Sequence, residues 1–222
     1  MSNRRADHCP LCHASTIVYF HTDQRRSYYR CTTCDLIHVP AEYHLPADQE
    51  RQRYDSHRNS PTDSGYRNFL SRLLTPLLPR LPAGASGLDF GCGPGPTLSV
   101  MLQEYGFSMA VYDPFYADDE CVLQRRYDFV TCTEAIEHFA RPDVEWQRLL
   151  ELLNEDGRLA IMTRFHDKQV DFADWYYKND PTHIGFYSVA TFAWLAQRDG
   201  LMVEFFGDSV AIFSPLSAMS FE

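Results

Sequence analysis

The chain has 222 residues and a mass of 25.7 kDa, enough for one medium domain with a small appendage. It is 45% hydrophobic with a mean hydropathy of −0.35, and no apolar run approaches the ~20 residues of a membrane span, so no membrane partner is expected. The formal net charge of −10 disfavours a general nucleic-acid binder, whose affinity rests on neutralising phosphates.

The N-terminal "MSNRRADHCP" has no apolar h-region, so a cytoplasmic protein is expected. The first 40 residues carry Arg4, Arg5, Arg25, Arg26 and Arg30 against Asp7, Asp23 and Asp35, a mildly basic head on an acidic body. Such a head either docks a polyanion or is a solvated small module. Of seven cysteines, four form "CPLC" (Cys9, Cys12) and "CTTC" (Cys31, Cys34), with eighteen residues between the pairs. Two such knuckles around a short hairpin have the spacing of a tetrahedral zinc ribbon with four cysteine ligands. Disulfides are the alternative, without a secretion signal to favour them. His8, His13 and His38 lie nearby, but four thiolates already close a structural site. Cys92, Cys121 and Cys132 read as ordinary small residues near a sheet.

"TIVYF" and "SYYRC" read as hairpin strands around "HTDQRR". Residues 41–62 are polar and irregular, a linker or lid in which "YDSHRNSP" concentrates Tyr54, His57 and Asn59. From residue 65 the pattern is α/β. "GYRNFLSRLLTPLLPRL" is an amphipathic helix interrupted near Pro76, and "SGLDF" is a buried strand. "PTLSVMLQEYG" is a helix with Leu98, Met101, Leu102 and Tyr105 on one face, and "SMAVYDP" is the next strand. "YDFVTC" is a strand, "RPDVEWQRLLELLNEDG" a helix stopped at Gly157, and "RLAIMTR" a strand. "SVATFAWLAQRDG" is a helix with Ser188 as N-cap, and "LMVEFFG" and "SVAIFSP" form a terminal hairpin. Alternating elements imply a mostly parallel sheet with helices on both faces, binding its ligand beyond the carboxyl ends of the strands.

"DFGCGPGP" sits at that place, where glycines let the backbone turn tightly and approach a ligand. It lacks the spacing of the dinucleotide fingerprint and has no Walker lysine. "LDFGCGPG" resembles the first motif of class I S-adenosylmethionine-dependent methyltransferases, "YDFVTCTEAIEHF" their fourth-strand motif and "LNEDGRLAIMT" the segment that follows. The resemblance covers about residues 65–214. It implies an α/β, Rossmann-like class I methyltransferase sheet with helices on both faces, preceded by the small β zinc ribbon. The organisation expected is a ribbon at 1–40, a linker or lid at 41–64 and a methyltransferase domain at 65–222. The resemblance also implies S-adenosylmethionine as cofactor, held by Asp89, Gly91, Gly93, Gly95, Asp113, Pro114 and Thr133, with Asp113 bridging the ribose hydroxyls. Only thirteen residues, "PFYADDECVLQRR", separate Asp113 from the "YDFV" strand, where the family usually fits a helix, a third strand and an adenine-contacting acid. Pro114, Phe115 and Tyr116 are candidate apolar walls for the adenine.

For the chemistry, a helix over "TEAIEHF" would put Glu134, Glu137 and His138 on one face, with His183 arriving from "NDPTHIGFYS". These four resemble, position by position, the Glu-x-x-Glu-His stretch and later His of metal-dependent ubiquinone-pathway O-methyltransferases and small-RNA 2′-O-methyltransferases. The resemblance implies a second divalent metal that lowers the pKa of an acceptor hydroxyl. His138 or His183 acting as a metal-free base is one alternative, and a structural role at a helix N-terminus another. "FADWYYKNDPTH", with Trp175, Tyr176 and Tyr177, is a lid candidate or ordinary surface packing. The function expected is O-methylation of a small-molecule acceptor, with zinc as structural metal. The alternatives are an RNA-modifying enzyme that uses its ribbon to dock RNA, and a non-catalytic binding module. The absence of lysine from residues 1–160 weighs against RNA.

Overall fold

The computed structural model describes residues 7–56, 60–167 and 171–216. Arg4, Arg5, His57 and Asn59 lie outside the described residues. The cysteine module is a hairpin of β1 (Ile17–Thr22) and β2 (Ser27–Cys31), followed by a short β3 (Ile37–His38). The segment read as irregular contains α1 (Ala47–Asp55), a wholly polar stretch apart from Ala47 and Tyr54 that buries no residue fully. Its contacts, described below, hold it as a helix where hydrophobic periodicity gave no signal.

Next comes α2 (Ser64–Leu77), whose N-cap Asp63 accepts from Gly65 N at 2.8 Å and Tyr66 N at 3.1 Å. Then follow β4 (Ser86–Phe90), α3 (Thr97–Glu104), β5 (Ser108–Tyr112), β6 (Tyr127–Thr133), α4 (Pro142–Glu151) and β7 (Leu153–Met162). The chain closes with β8 (Gly185–Phe186), α5 (Val189–Asp199), β9 (Leu201–Phe206) and β10 (Val210–Pro215). Ser188 caps α5 in a capping box with Thr191, and Gly200 ends it in the left-handed conformation at φ 67°.

Six strands form the main sheet in the order β5-β4-β6-β7-β10-β9. The first four are parallel, and β10 runs antiparallel to both neighbours. Residues 113–126 contribute a bridge and a 3-10 turn at Glu120–Gln124 instead of a strand, so β5 is the edge. Alternate residues face opposite sides. Leu88, Phe90, Val130, Cys132 and Ile161 pack with Trp146 and Leu149 of α4 and Phe192 and Leu195 of α5. Phe129, Ala160, Met162 and Ile212 pack with the leucines of α2 and with Leu98, Met101 and Leu102 of α3. The helices therefore cover both faces.

Three sequence expectations change. Tyr105 is 60% exposed, because α3 ends at Glu104 and the chain leaves the buried face there. The helix expected to run to Gly157 stops at Glu151, and Asn154–Gly157 bulge within β7, where Asn154 Nδ2 donates to Asp128 Oδ1 at 2.8 Å. No α-helix forms over 134–138. Glu134 adopts φ 49° with its N–H on Met162 O at 2.7 Å, and only a 3-10 turn, Ile136–His138, follows.

The cysteine module is not a free appendage. Its sheet has the order β1-β2-β3-β8, and the last strand comes from the far side of the sequence, with Ile37 opposite Phe186 and His38 opposite Gly185. Cys9, Leu11, Cys31, Cys34 and Leu36 belong to the core shared with α4 and α5. Tyr28, Ile37 and Val39 join Phe172, Trp175, Tyr177, Ile184 and Phe186 in an aromatic cluster. No helix among the described residues is long and apolar enough to cross a membrane.

Candidate active site

Beyond Phe90 the backbone turns through two positive-φ glycines, Gly91 at 76° and Gly93 at 64°. Gly91 N donates to Tyr112 O at 2.8 Å, and a Cβ there would lie 2.5 Å from Ala135 Cβ. A Cβ on Gly93 would meet no heavy atom within 4 Å, because this glycine faces open space. That space is a cavity of about 600 Å³. Asp113, just past β5, accepts from Gly93 N at 2.9 Å on Oδ2, and from Phe115 N at 2.9 Å and Tyr116 N at 3.2 Å on Oδ1. It thereby ties the glycine loop to the next turn, and its carboxylate keeps lone pairs for a ligand. Asp89 lies beneath the loop, takes a 2.8 Å bond from Thr131 Oγ1, and is pushed up to about 6 by burial. Asp89, Gly91, Gly93, Gly95, Asp113, Pro114 and Thr133 all line the cavity, as do Phe115 and Tyr116. The Thr133 hydroxyl is buried with no protein partner, a polar atom left for a ligand.

The other end of the cavity is assembled from distant segments. Glu134, His138 and His183 line it, and Glu137 lies fully buried behind them. His138 Nδ1 faces Thr182 O at 3.0 Å, and His183 Nδ1 faces Tyr177 O at 2.8 Å. A carbonyl can only accept, so each Nδ1 carries a proton, and in the neutral ring that proton assignment leaves the lone pair on Nε2. The two rings meet edge to face with centroids 4.8 Å apart. Ligand atoms of Glu137, His138 and His183 lie within 4.8 Å of one another, while Glu134 stands outside that group. Burial holds His183 down at about 4, so the imidazole is neutral at pH 7. Glu137 Oε1 receives the Tyr177 hydroxyl, and Glu137 Oε2 is buried without a protein partner. Glu134 Oε2 lies 3.3 Å from the same hydroxyl, and burial followed by the Glu137 charge raises Glu134 well above the carboxylate range. Its left-handed backbone is the strain expected of a residue whose position is dictated by a site.

Of the two lid candidates, the segment with Tyr54 lies over the cavity and the aromatic run at 175–177 packs largely inside the fold. Trp175 and Tyr177 are buried in the aromatic cluster, and Tyr176 is exposed. The residues that close the cavity are Glu50 and Tyr54 of α1. Tyr54 donates to Glu50 Oε1 at 2.6 Å and sits against His138 with ring centroids 5.2 Å apart. Arg53 to Asp180 at 2.8 Å and Tyr116 to Asp55 at 2.7 Å fasten the helix across the opening. Glu50 gave no signal in sequence, since an acid on a polar helix looks solvated.

In the cysteine module, Cys9 Sγ lies 3.5 Å from Cys34 Sγ, and Cys12 Sγ lies 3.5 Å from Cys31 Sγ. All four ligand atoms fall within 4.8 Å. A tetrahedron with Zn–S bonds of about 2.3 Å needs sulfurs ~3.8 Å apart, so the cluster fits that ion. The four cysteines are free, with sulfurs well beyond the ~2.05 Å of a disulfide. The hydrogen bond from Cys34 lowers the Cys9 thiol below its ordinary value, and burial opposes it.

Residues 62–204 match the family described as "Methyltransferase domain". No curated protein matches the chain. A chain from the complex between the Haloferax volcanii Trm112 methyltransferase activator and a methyltransferase has 14% identity, a TM-score of 0.50, and coverage of 77% of this chain and 100% of its own. Magnesium protoporphyrin IX methyltransferase from Synechocystis PCC 6803, with bound S-adenosylmethionine, has 15% identity, a TM-score of 0.50, and coverage of 78% of this chain and 94% of its own. A protein described as a sarcosine dimethylglycine methyltransferase from Galdieria sulphuraria has 18% identity and a TM-score of 0.49, with 63% of each chain covered. At these identities the likeness is one of fold. With the family match spanning the glycine loop, Asp113 and both histidines, the chain belongs to the methyltransferase-domain family and is an S-adenosylmethionine-dependent methyltransferase.

Proposed function

We propose that the protein methylates a hydroxyl oxygen of a small molecule held between α1 and the His138–His183 pair. The bound cofactor supplies an electrophilic methyl group on a sulfonium. Gly91, Gly93 and Gly95 leave room for its methionine and ribose, Asp113 takes the ribose hydroxyls, and Pro114, Phe115 and Tyr116 wall the adenine. Asp89 and Thr133 complete that side of the cavity.

The observation that carries the chemistry is the pinning of both Nδ1 atoms by backbone carbonyls. It leaves the Nε2 side of two cavity-lining rings free, and a ligand atom of each lies within 4.8 Å of one of Glu137, whose Oε2 has no protein partner. In the metal-free form, Nε2 of His138 or His183 takes the acceptor's hydroxyl proton. The oxygen then attacks the methyl carbon, the S–C bond breaks, and the buried Glu137 charge stabilises the imidazolium. In the metal form, Glu137 Oε2 and both Nε2 atoms would hold a divalent cation that lowers the pKa of the acceptor hydroxyl. Glu134, its carboxyl raised by burial and by the Glu137 charge, serves either form through Tyr177.

The proposed organisation is the ribbon at 1–40 with one structural zinc on Cys9, Cys12, Cys31 and Cys34, the cover at 41–64 and the transferase unit at 65–222. Four ligating thiolates suit a reducing compartment such as the cytoplasm. The internal use of the ribbon's arginines weighs against RNA as acceptor. Arg25 and Arg26 bind carbonyls of residues 178–181, and Arg30 pairs with Asp35. The test is a radiolabelled methyl-transfer screen of metabolite and RNA extracts, with and without divalent metal. Label entering RNA, or entering only nitrogen or carbon acceptors, overturns the reading.

A further inference from the structure

Residues 177–182 run from the 3-10 turn Tyr176–Asn179 into a short loop, and every one of their carbonyls has a partner, Asp180 O accepting from His183 N at 3.2 Å as well as from the hairpin. Tyr177 O faces His183 Nδ1 at 2.8 Å, and Thr182 O faces His138 Nδ1 at 3.0 Å. The carbonyls between them turn the other way. Arg26 Nη2 donates to Lys178 O at 2.7 Å and to Asp180 O at 2.9 Å, Arg26 Nη1 donates to Pro181 O at 3.0 Å, and Arg25 Nη1 donates to Asn179 O at 3.1 Å. The loop therefore hangs between two imidazoles on one side and the hairpin turn of the cysteine module on the other.

Arg26 is built for that place. It is 5% exposed, and its Nε donates to the Tyr28 hydroxyl at 3.0 Å. Tyr28 donates in turn to Asp23 Oδ2 at 2.7 Å. Asp23 Oδ1 closes the turn by accepting from Arg25 N at 2.8 Å and Arg26 N at 3.0 Å. A planar guanidinium with a fixed fork of donors can hold several carbonyls in one geometry, which an ammonium or an amide cannot. Burying a cation without a directly bonded carboxylate is costly unless its donors are satisfied. Here the three carbonyls of one loop do most of that work.

We propose that Arg26 is a positioning residue for methyl transfer: it locks the 177–182 loop so that the Tyr177 and Thr182 carbonyls fix the Nδ1–H tautomer and the direction of His183 and His138. The cysteine module is on this account part of the catalytic centre. It reaches the reacting groups through the hairpin-turn arginines, chiefly Arg26, and one backbone segment, and touches neither cofactor nor acceptor. The proposal rests on the catalytic reading of the two histidines, and the experiment separates the two claims.

The experiment is long-range 1H–15N correlation of the histidine rings in the zinc-loaded full chain, comparing the wild type with Arg26→Gln and Arg26→Lys. Zinc content and S-adenosylmethionine affinity serve as checks that each variant is folded. In the wild type, His138 and His183 should both show the Nδ1–H tautomer. In Arg26→Gln both should relax to tautomer mixtures, with cofactor affinity changed less than twofold, and Arg26→Lys should restore part of the wild-type signature. His38, packed elsewhere, should not move. Unchanged tautomers of His138 and His183 in folded Arg26→Gln would overturn the positioning role, and so would a mixture already present in the wild type. Manganese(II) added to the wild type then probes the metal form of the function alone. Broadening of the two rings supports it, and sharp rings reject it while leaving the tautomer result in favour of Arg26.

Discussion

The two ends of the cavity are built in opposite ways. The cofactor end comes from one nearly continuous stretch, Asp89 to Tyr116, and its key atoms are backbone N–H groups and glycines without side chains. The acceptor end draws Glu50 and Tyr54 from α1, Glu134 to His138 from the turn after β6, His183 from a later loop and, behind that loop, Arg26 from the cysteine module. A contiguous site survives damage elsewhere in the fold, whereas an assembled one fails when any supporting segment moves. The following measurements would break or sharpen that contrast.

The largest effect is expected from Cys31→Ser. It should release the ribbon's zinc and remove several kcal/mol of stability, since apparent structural zinc affinities reach about 10–16 kcal/mol in small metal-folded domains. Elemental analysis should fall from about one zinc per chain toward none. Calorimetry should find S-adenosylmethionine affinity within a few-fold of wild type, while methyl transfer is lost. Equal loss of cofactor affinity would erase the distinction between the two ends.

His38, buried in β3, makes the fold as a whole sensitive to acid. Burial, with a smaller contribution from His44, lowers its pKa from the ordinary 6.5 to about 4. Above the unfolded value neither state carries the proton, and stability is unaffected. Between those values the unfolded chain binds a proton that the native state refuses, so stability falls as the pH drops. The integrated loss is on the order of 3 kcal/mol. Urea midpoints measured from pH 7 to pH 4 should show this component in the wild type and lack it in His38→Leu. Parallel curves for the two proteins would contradict it.

At the cofactor end, Gly93→Val places a β-branched residue at φ 64° and fills the space the ligand needs. Its S-adenosylmethionine affinity should fall about 100-fold, or ~2.7 kcal/mol. Asp113→Ala, which removes the tether to Gly93 N and the ribose contact proposed for it, should cost about tenfold. Zinc content should stay unchanged in both. The smallest effect is expected from Arg53→Ala, which breaks the half-exposed Arg53–Asp180 pair that fastens α1. Stability should change by less than about 1 kcal/mol. Cofactor dissociation in stopped flow should quicken as the cover loosens, and an unchanged rate would show that α1 does not gate the cavity.

The fold was largely legible in the sequence because its signals are local. Short apolar runs marked β4 and β6, Ser188 marked the start of α5, and the missing length between Asp113 and Tyr127 is matched by a sheet that ends at β5. Spacing alone paired the four cysteines, since two knuckles with a hairpin between them can meet in few ways. The sequence misled where a long-range contact overrode a local pattern. Glu134–His138 has helical spacing, yet Glu134 N is captured by Met162 O at the end of β7 and the turn collapses to 3-10. The Asn154–Gly157 stretch reads as a helix stop, but pairing of the flanking Leu153 and Arg158 with β6 carries it into β7 as a bulge.

What the sequence by itself determined is the glycine-rich end of the cavity, proposed here to hold the cofactor, and the cysteine cluster: glycine positions, one acid after β5 and four thiols are properties of short segments. What only the tertiary structure decided is the acceptor end. The pairing of β3 with β8 brings residues about 150 positions apart into one sheet, and Arg26 meets a loop whose own sequence gives no hint of it. An imidazole tautomer follows from the partner across its ring, and no local pattern of residue types encodes which distant backbone carbonyl that partner will be.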